Sequence, residues 1–357
     1  MHLVPFLSSR VTIDRPASSR GAIVALLVLS LMLLAPVGAT ISAQETASPA
    51  ASPAPTAGGQ FIARFDAEAG ELSEGVTVDA DGTVYASLSP LGQLVRIGSG
   101  GEYEVVGTVE GLQEGDIGML GLTAYPDGSV YAGVFSANPD AHGVWRFDVD
   151  TGEAERVPGT EQIGLPNAIA FDADGAMYIT DTITGAVWLV PLDGTAEQWM
   201  QHSLLEGDES IGFPFPVGAN GLALDEASDT VYVSVLEKGT VVAIPIEDDG
   251  SAGEPAVHTE FTDAQGPVLV DGIVLDTVDN LYVAQPAVNT VVRVTPAGAI
   301  ETVATQADGL DGPASVAVAP DADGTERLYV SNFSVALAPL VAPGGAGPGI
   351  VMIPLGD

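Results

Sequence analysis

The chain has 357 residues, of which 46% are hydrophobic and 16% are charged, and this composition excludes disorder as the default state of the chain. It carries 10 Lys and Arg residues against 48 Asp and Glu residues, for a net charge of −38. This excess of acid excludes nucleic acid and anionic membrane as partners, because phosphate groups are bound through Lys and Arg. The chain contains no cysteine, which excludes disulfides and a lipid-modified cysteine.

The first 43 residues have the features of an export signal. Arg10, Arg15 and Arg20 precede an apolar run at residues 21–39, and small residues follow up to position 43. We predict a signal peptide at residues 1–43 and therefore a secreted or cell-envelope protein. An uncleaved N-terminal anchor is the alternative, because the apolar run is just long enough to span a bilayer. We expect no other membrane association.

Residues 44–59, which are rich in Pro, Ala, Ser and Thr, form the next segment. They show no periodic apolar face, so we predict a linker between the leader and a folded domain at residues 60–357. The leader contains three arginines and one aspartate, so the rest of the chain has a net charge near −40.

One pattern occurs six times in the domain: an alternating apolar run, an acidic or glycine-containing turn, and an apolar pair that ends in tyrosine. The tyrosines recur at intervals of 46 to 54 residues: Tyr85, Tyr131, Tyr178, Tyr232, Tyr282 and Tyr329. A third apolar strand follows in each unit, and a fourth in most. Four short strands of period two, joined by tight turns, are typical of a propeller blade.

The sixth unit lacks a fourth strand, because the chain ends just after its third. An unused strand pattern lies at residues 60–67, and pairing it with the last blade would close the ring and remove two exposed edges. The sequence therefore predicts an all-β fold, a six-bladed β-propeller of four-stranded blades closed by an N-terminal strand. We expect a monomer.

The residues that open the first strand of each unit are candidates for a functional site, because first strands line the central channel of a propeller. Counting back from each tyrosine gives Glu74, Leu120, Asn167, Asn220, Asp271 and Ala314. Four of these six are oxygen donors, and two carboxylates with two amide oxygens suit a hard divalent cation, with calcium the expected ion. The alternative is a set of turn residues, because Asn or Asp before Gly often caps the local backbone.

The segments around these four residues resemble the senescence-marker-protein/gluconolactonase family, whose relatives include diisopropyl fluorophosphatase. The matching residues are Glu74-Gly75, Pro166-Asn167, Ala219-Asn220-Gly221-Leu222 and Val270-Asp271-Gly272. The resemblance implies a six-bladed propeller with Glu74, Asn167, Asn220 and Asp271 as metal ligands. It also implies that Asp271 serves as catalytic base or nucleophile.

Three positions depart from the family pattern. Leu165 replaces a common arginine, Ala168 an aspartate, and Val76 a proline, which puts sugar recognition in doubt. We therefore expect a metal-dependent hydrolase of a lactone, ester or related small molecule. A non-catalytic, NHL-like binding propeller for an extracytoplasmic partner is the alternative, and chemistry similar to that of strictosidine-synthase-like propellers is a third.

Outside the axis, fewer residues indicate chemistry. His142 lies in a predicted loop between second and third strands, where we expect a solvated side chain, with a role in proton transfer as the alternative. Two long loops, one before the fourth repeat and one near the C-terminus, are expected to wall a pocket. Phe213, Phe215 and Phe333 would give this pocket an apolar surface.

Overall fold

A computed structural model describes residues 58–192, 194–225, 227, 229–320, 324–334 and 345–355. The predicted leader at residues 1–43 lies outside the described residues, as does nearly all of the predicted linker at 44–59. In the part of the chain that the structure describes, no helix has the length and apolar character needed to cross a bilayer.

The described residues form a ring of six antiparallel sheets of four strands each. We call these sheets blades 1 to 6 and their strands A to D from the channel outward. The A strands are Ser73–Val78, Gly118–Ala124, Pro166–Phe171, Ala219–Leu224, Ile273–Leu275 and Pro313–Pro320. The B strands are Val84–Leu88, Ser129–Phe135, Met177–Asp181, Thr230–Val235, Leu281–Gln285 and Glu326–Asn332. The C strands are Gln93–Ile97, Gly143–Asp148, Ala186–Val190, Thr240–Pro245, Thr290–Val294 and Gly349–Pro354.

The D strands of blades 1 to 5 are Tyr103–Thr108, Ala154–Arg156, Glu197–Gln201, Ala256–Glu260 and Ile300–Ala304. Blade 6 takes its D strand from the start of the domain, because Gln60–Arg64 pairs antiparallel with Gly349–Pro354. Neighbouring A strands contact one another around the whole ring, including those of blades 6 and 1. The predicted six-bladed propeller and its closure by an N-terminal strand are confirmed.

The connections carry little further regular structure. A short hairpin with two residues in each strand, Thr262–Asp263 and Gly266–Pro267, lies between blades 4 and 5. Single turns of 3-10 helix occur at Ala67–Ala69, Ser89–Leu91, Thr160–Gln162, Pro286–Val288 and Gln306–Asp308.

The hydrophobic core lies between neighbouring blades, and the repeated tyrosines belong to it. Tyr85 packs with residues of blades 1 and 2, and Tyr282 packs with residues of blades 5 and 6. Each of these two hydroxyl groups donates to the aspartate that begins the preceding A–B turn, Asp79 or Asp276, over 3.2 Å. In these two blades the tyrosine buries its ring between blades while its hydroxyl group keeps a partner at the rim.

Candidate functional site

A local irregularity at the start of the A strands directs side chains into the channel. Pairing between strands A and B shifts register in blades 1, 3 and 4 around Glu74, Asn167 and Asn220. In blade 5, Asp271 and Gly272 immediately precede the A strand and bond to Ala284 of strand B. A β-bulge leaves residues outside the regular ladder and turns their side chains. The channel positions therefore follow from the backbone of each blade.

All four predicted ligands line a single cavity of about 230 Å³ at one end of the channel. Asn167 donates from Nδ2 to Oδ1 of Asn220 over 2.8 Å, which joins blades 3 and 4 directly. Glu74 is 7% exposed and Asn220 5%, whereas Asp271 is partly accessible. The structure thus brings together the four residues selected by counting, and their role as metal ligands stays a prediction.

The two carboxyl groups of this cavity have unfavourable surroundings. Burial, followed by the negative charge of Asp271, raises the pKa of Glu74 well above its usual value. Burial raises the pKa of Asp271 to about 7, opposed by hydrogen bonds from Asn220 and the Gly272 N–H. Among the described residues, Glu74 Oε2 is a buried atom with no hydrogen-bond partner. Buried polar atoms are rarely left unpaired, so Glu74 lacks a partner that a cation would supply.

The donor set fits a hard cation and does not fit a soft one. Two carboxylates and two amide groups offer only oxygen to a metal, which is the preference of calcium and magnesium. The described residues include no group of three or more His, Cys, Asp or Glu side chains that would hold a metal by themselves. A metal here would therefore depend on the oxygens of Asn167 and Asn220 as well as on the two carboxylates.

A ring of hydroxyl groups behind the channel, which was not predicted from the sequence, holds these positions. In blade 4, Ser234 Oγ accepts from the Gly221 N–H at 2.7 Å and donates to the Asp271 carbonyl at 2.6 Å. Thr180 does the same between blades 3 and 4, accepting from Ala168 N–H at 2.9 Å and donating to Asn220 O at 2.6 Å. Each hydroxyl group therefore ties the bulge of its own blade to the channel residue of the next.

Blades 1 and 6 contribute two further hydroxyl groups to this ring. Ser87 accepts from the Gly75 N–H at 2.7 Å, and Ser331 donates to the carbonyl of Glu74. All four hydroxyl residues occur two positions after a repeated tyrosine, where blades 2 and 5 have Gly133 and Ala284. That shared position is the signal by which the sequence could have identified the ring.

Most of the remaining cavity wall is apolar, and much of it comes from repeated positions and from the loop before blade 4. Residues two positions before a channel residue supply Leu72, Leu165 and Leu269, and residues four positions after a repeated tyrosine supply Thr182, Leu236, Pro286 and Phe333. The loop before blade 4 adds Ile211, Phe213, Phe215 and Val217. The predicted contribution of Phe213, Phe215 and Phe333 to the pocket is confirmed. The loop is anchored by Glu237, whose Oε2 accepts from the N–H groups of Asp208 at 2.6 Å and Glu209 at 2.8 Å.

Comparison with known proteins agrees with this architecture. A model of the SMP-30/gluconolactonase/LRE-like region matches residues 121–210 and 217–332, which together exceed half of the chain. The chain belongs to the SMP-30/gluconolactonase/LRE-like family. The matched region contains Asn167, Asn220 and Asp271, while Glu74 lies before it and joins the set through the geometry of blade 1. No curated protein sequence gives a significant match.

Solved structures share the fold at low sequence identity. A gluconolactonase from Xanthomonas campestris superposes with a TM-score of 0.58 at 18% identity, covering 83% of this chain and 88% of its own. A luciferin-regenerating enzyme gives 0.61 at 16% identity, covering 83% and 95%. A calcium-binding regucalcin from Agrobacterium tumefaciens gives 0.54 at 17% identity, covering 79% and 90%. At these identities the similarity shows the fold alone.

The three departures from the family pattern occupy different places in this SMP-30/gluconolactonase-like chain. Leu165 lines the cavity that contains the four channel residues. Val76 and Ala168 instead line a separate opening along the inner faces of the A strands. Only Leu165 therefore changes the chemistry of the candidate site.

His142 is not a solvated loop residue, so the sequence-based expectation is wrong. It is 9% exposed, its Nδ1 accepts from the Ser136 N–H at 3.3 Å, and its Nε2 lies 2.7 Å from the carbonyl of Ile163. Burial lowers its pKa, which favours the neutral ring. Because Nδ1 accepts from Ser136, Nε2 carries the proton, donates to Ile163 and links blade 2 to the segment that enters blade 3. Ile163 lies in the connection between blades 2 and 3, 21 positions further along the chain, which explains why local sequence did not reveal this role. His142 is not among the cavity-lining residues.

Proposed function

We propose that this chain is a divalent-metal-dependent hydrolase that cleaves a lactone, an ester or a related small molecule, with calcium as the metal. One observation carries the proposal: four oxygen-donor side chains from four blades line one cavity, and a buried oxygen of Glu74 lacks a partner there. The family membership and the calcium-binding relative support the same conclusion.

The residues of the cavity would divide the work as follows. Glu74, Asn167, Asn220 and Asp271 would hold the cation, which supplies positive charge against the negative charge that develops on the substrate oxygen. Asp271 is the accessible carboxylate of the pair, so it is our candidate base. It takes a proton from the attacking water, whose oxygen bonds to the acyl carbon. As the ring or ester C–O bond breaks, Asp271 returns that proton to the leaving oxygen, and the acid product releases the second proton of the water.

The apolar wall supports placing the reaction in this cavity. Side chains such as Leu165, Phe213 and Leu236 limit the access of bulk water to the acyl group. Charges inside a poorly hydrated site interact more strongly than they do in water, which makes the carboxylates and the cation more effective.

The test is hydrolysis of a panel of lactones and aryl esters, measured with added calcium and with a chelator. We expect turnover that requires calcium and falls at least about a hundredfold in Asp271→Asn, consistent with loss of a general base. Asp276→Asn is the matched control, because this carboxylate belongs to the same blade but bonds within the A–B turn, to Val278 and Asn280. Calcium binding without turnover on any substrate would contradict the proposal and favour the binding propeller.

We further propose that the protein acts outside the cytoplasm, on the basis of the leader at residues 1–43. N-terminal sequencing of the protein recovered from the medium or envelope should begin near residue 44. Recovery of the full-length chain from the cytoplasm alone would contradict this.

A further inference from the structure

The cavity around the four channel residues is poor in groups that could bind a polar substrate. Apart from those four residues, the polar side chains among the described residues of its lining are Asp116 and Thr182. Asp116 already accepts from the N–H groups of Gln113 at 2.8 Å and Ala137 at 2.9 Å. Thr182 Oγ1 accepts from Asn167 at 3.4 Å. Asp116 is therefore committed within the protein, whereas Thr182 makes one long bond as acceptor and offers at most a single hydroxyl group to a ligand.

A polyhydroxylated substrate would lose hydrogen bonds on entering this cavity. Each hydroxyl group of a sugar lactone gives up water and needs a partner, and leucine, isoleucine, valine, phenylalanine and proline side chains offer none. The three leucines at equivalent positions in blades 1, 3 and 5 (Leu72, Leu165 and Leu269) place this apolar surface around the channel residues. Polar recognition is thus sparse around the four channel residues in the described part of the lining.

An anionic substrate is also disfavoured. The cavity is lined by Glu74, Asp116 and Asp271, and no lysine or arginine is among its lining residues in the described part of the chain. One divalent cation would balance the Glu74 and Asp271 charges and leave no excess positive charge to attract a carboxylate or phosphate group. The cavity is also small. Its volume of about 230 Å³ lies below the roughly 300–1,000 Å³ of sites that bind drug-sized ligands, which favours a small substrate.

We infer that the substrate is a small, neutral lactone or ester with an alkyl or aryl substituent, and that polyols and anions are rejected. This inference rests on the proposed function. The acyl group would face the four channel residues, while the substituent contacts Leu165, Phe213 and Phe215. Each buried methylene group contributes roughly fourfold to binding, so a short alkyl chain separates apolar from polar substrates by at least about a hundredfold.

The experiment compares δ-decalactone with glucono-δ-lactone, which have the same ring size and the same number of non-hydrogen atoms. We expect kcat/KM to favour δ-decalactone by at least about a hundredfold in the presence of calcium. Equal rates, or a preference for glucono-δ-lactone, would overturn the inference and leave the proposed hydrolase intact.

A binding measurement tests the apolar specificity independently of hydrolytic activity. The corresponding δ-lactams, in which a ring N–H replaces the ring oxygen, resist hydrolysis and can be titrated calorimetrically into the calcium-loaded protein. Tighter binding of the pentyl-substituted lactam than of gluconolactam would support the apolar specificity even if no lactone is turned over. Equal or weaker binding of the pentyl-substituted lactam would refute it.

Substitutions in the wall locate the specificity. Leu165→Asn should reduce the preference for δ-decalactone at least about tenfold, because it removes apolar contact and adds a hydrogen-bonding group beside the channel residues. Phe213→Ser, at a partly exposed position where folding is less at risk, should act in the same direction. Leu192→Asn is the matched control, because Leu192 is 69% exposed and outside the cavity. An unchanged preference in Phe213→Ser and Leu165→Asn would contradict the assignment of the wall.

Discussion

The hydroxyl ring behind the channel makes a prediction that needs no knowledge of the substrate. Ser234 is fully buried, and its Oγ bonds to two backbone groups, the N–H of Gly221 at 2.7 Å and the carbonyl of Asp271 at 2.6 Å. Ser234→Ala removes this oxygen with little change in volume and leaves both backbone groups unsatisfied. Each orphaned buried group costs about 1–3 kcal/mol. We expect a loss of about 3 kcal/mol in the free energy of unfolding, because water from the channel can replace part of the bonding.

Urea denaturation measures this loss. With a slope of about 3 kcal/mol per molar urea, at the upper end of the range for small proteins, the midpoint should fall by about 1 M. Calcium affinity should also fall about tenfold, because residues behind a metal ligand orient it. Ser234→Thr is the matched control, since Thr180 makes the same two bonds in blade 3. It should retain most of the stability.

Blade 5 shows why the hydroxyl group matters only at some positions. Its equivalent residue is Ala284, and the Gly272 N–H there bonds directly to the carbonyl of Ala314 at 2.7 Å. Blade 4 has no such direct bond from Gly221, whose N–H bonds to Ser234 instead. A midpoint within about 0.2 M of the wild-type value in Ser234→Ala would refute the reasoning, because it would mean that the two backbone groups find partners without the hydroxyl.

Three further predictions concern pH, the metal and the pocket loop. Burial lowers the pKa of His142 below 6.5, so the unfolded chain takes up this proton at a higher pH than the folded chain. The stability contributed by neutral His142 is present above pH 6.5 and is lost as the pH falls toward the folded-state pKa. The urea midpoints at about pH 7.5 and 5.5 should therefore differ less in His142→Gln than in wild type. His202→Gln, at a partly exposed position, is the control and should keep the wild-type difference. Calcium at about a hundred times its dissociation constant should stabilise the protein by about 2.7 kcal/mol and raise Tm by roughly 5 °C, and Glu74→Gln should abolish most of this shift in a thermal melt. Glu237→Ala removes the acceptor of two loop N–H groups. It should raise KM for an apolar ester several-fold more than it changes kcat, and it should make the loop before blade 4 cleavable by protease. An intact loop and an unchanged KM would show that Glu237 does not position the wall.

The repeat made the channel residues predictable. Glu74 lies eleven positions before Tyr85, and Asp271 lies eleven positions before Tyr282, because an A strand and its turn lie between them and each tyrosine is the second residue of its B strand. Local periodicity and turn chemistry therefore determined the blades, their number, the closing strand and the residues that open each A strand. These features depend on hydrogen bonding and side-chain alternation over a few residues, and such local patterns can be recognised in the sequence.

Only the tertiary structure decided what surrounds those residues. Phe213 and Phe215 reach the cavity from a loop without periodicity, and the buried His142 finds its partner in the carbonyl of Ile163, 21 positions further along the chain. Ser234 bonds to Asp271 of the next blade across 37 positions of sequence. The physical reason is closure of the ring: it brings groups from different blades to one axis, and the burial, charge repulsion and hydrogen bonds that result exist only when all six blades are in place.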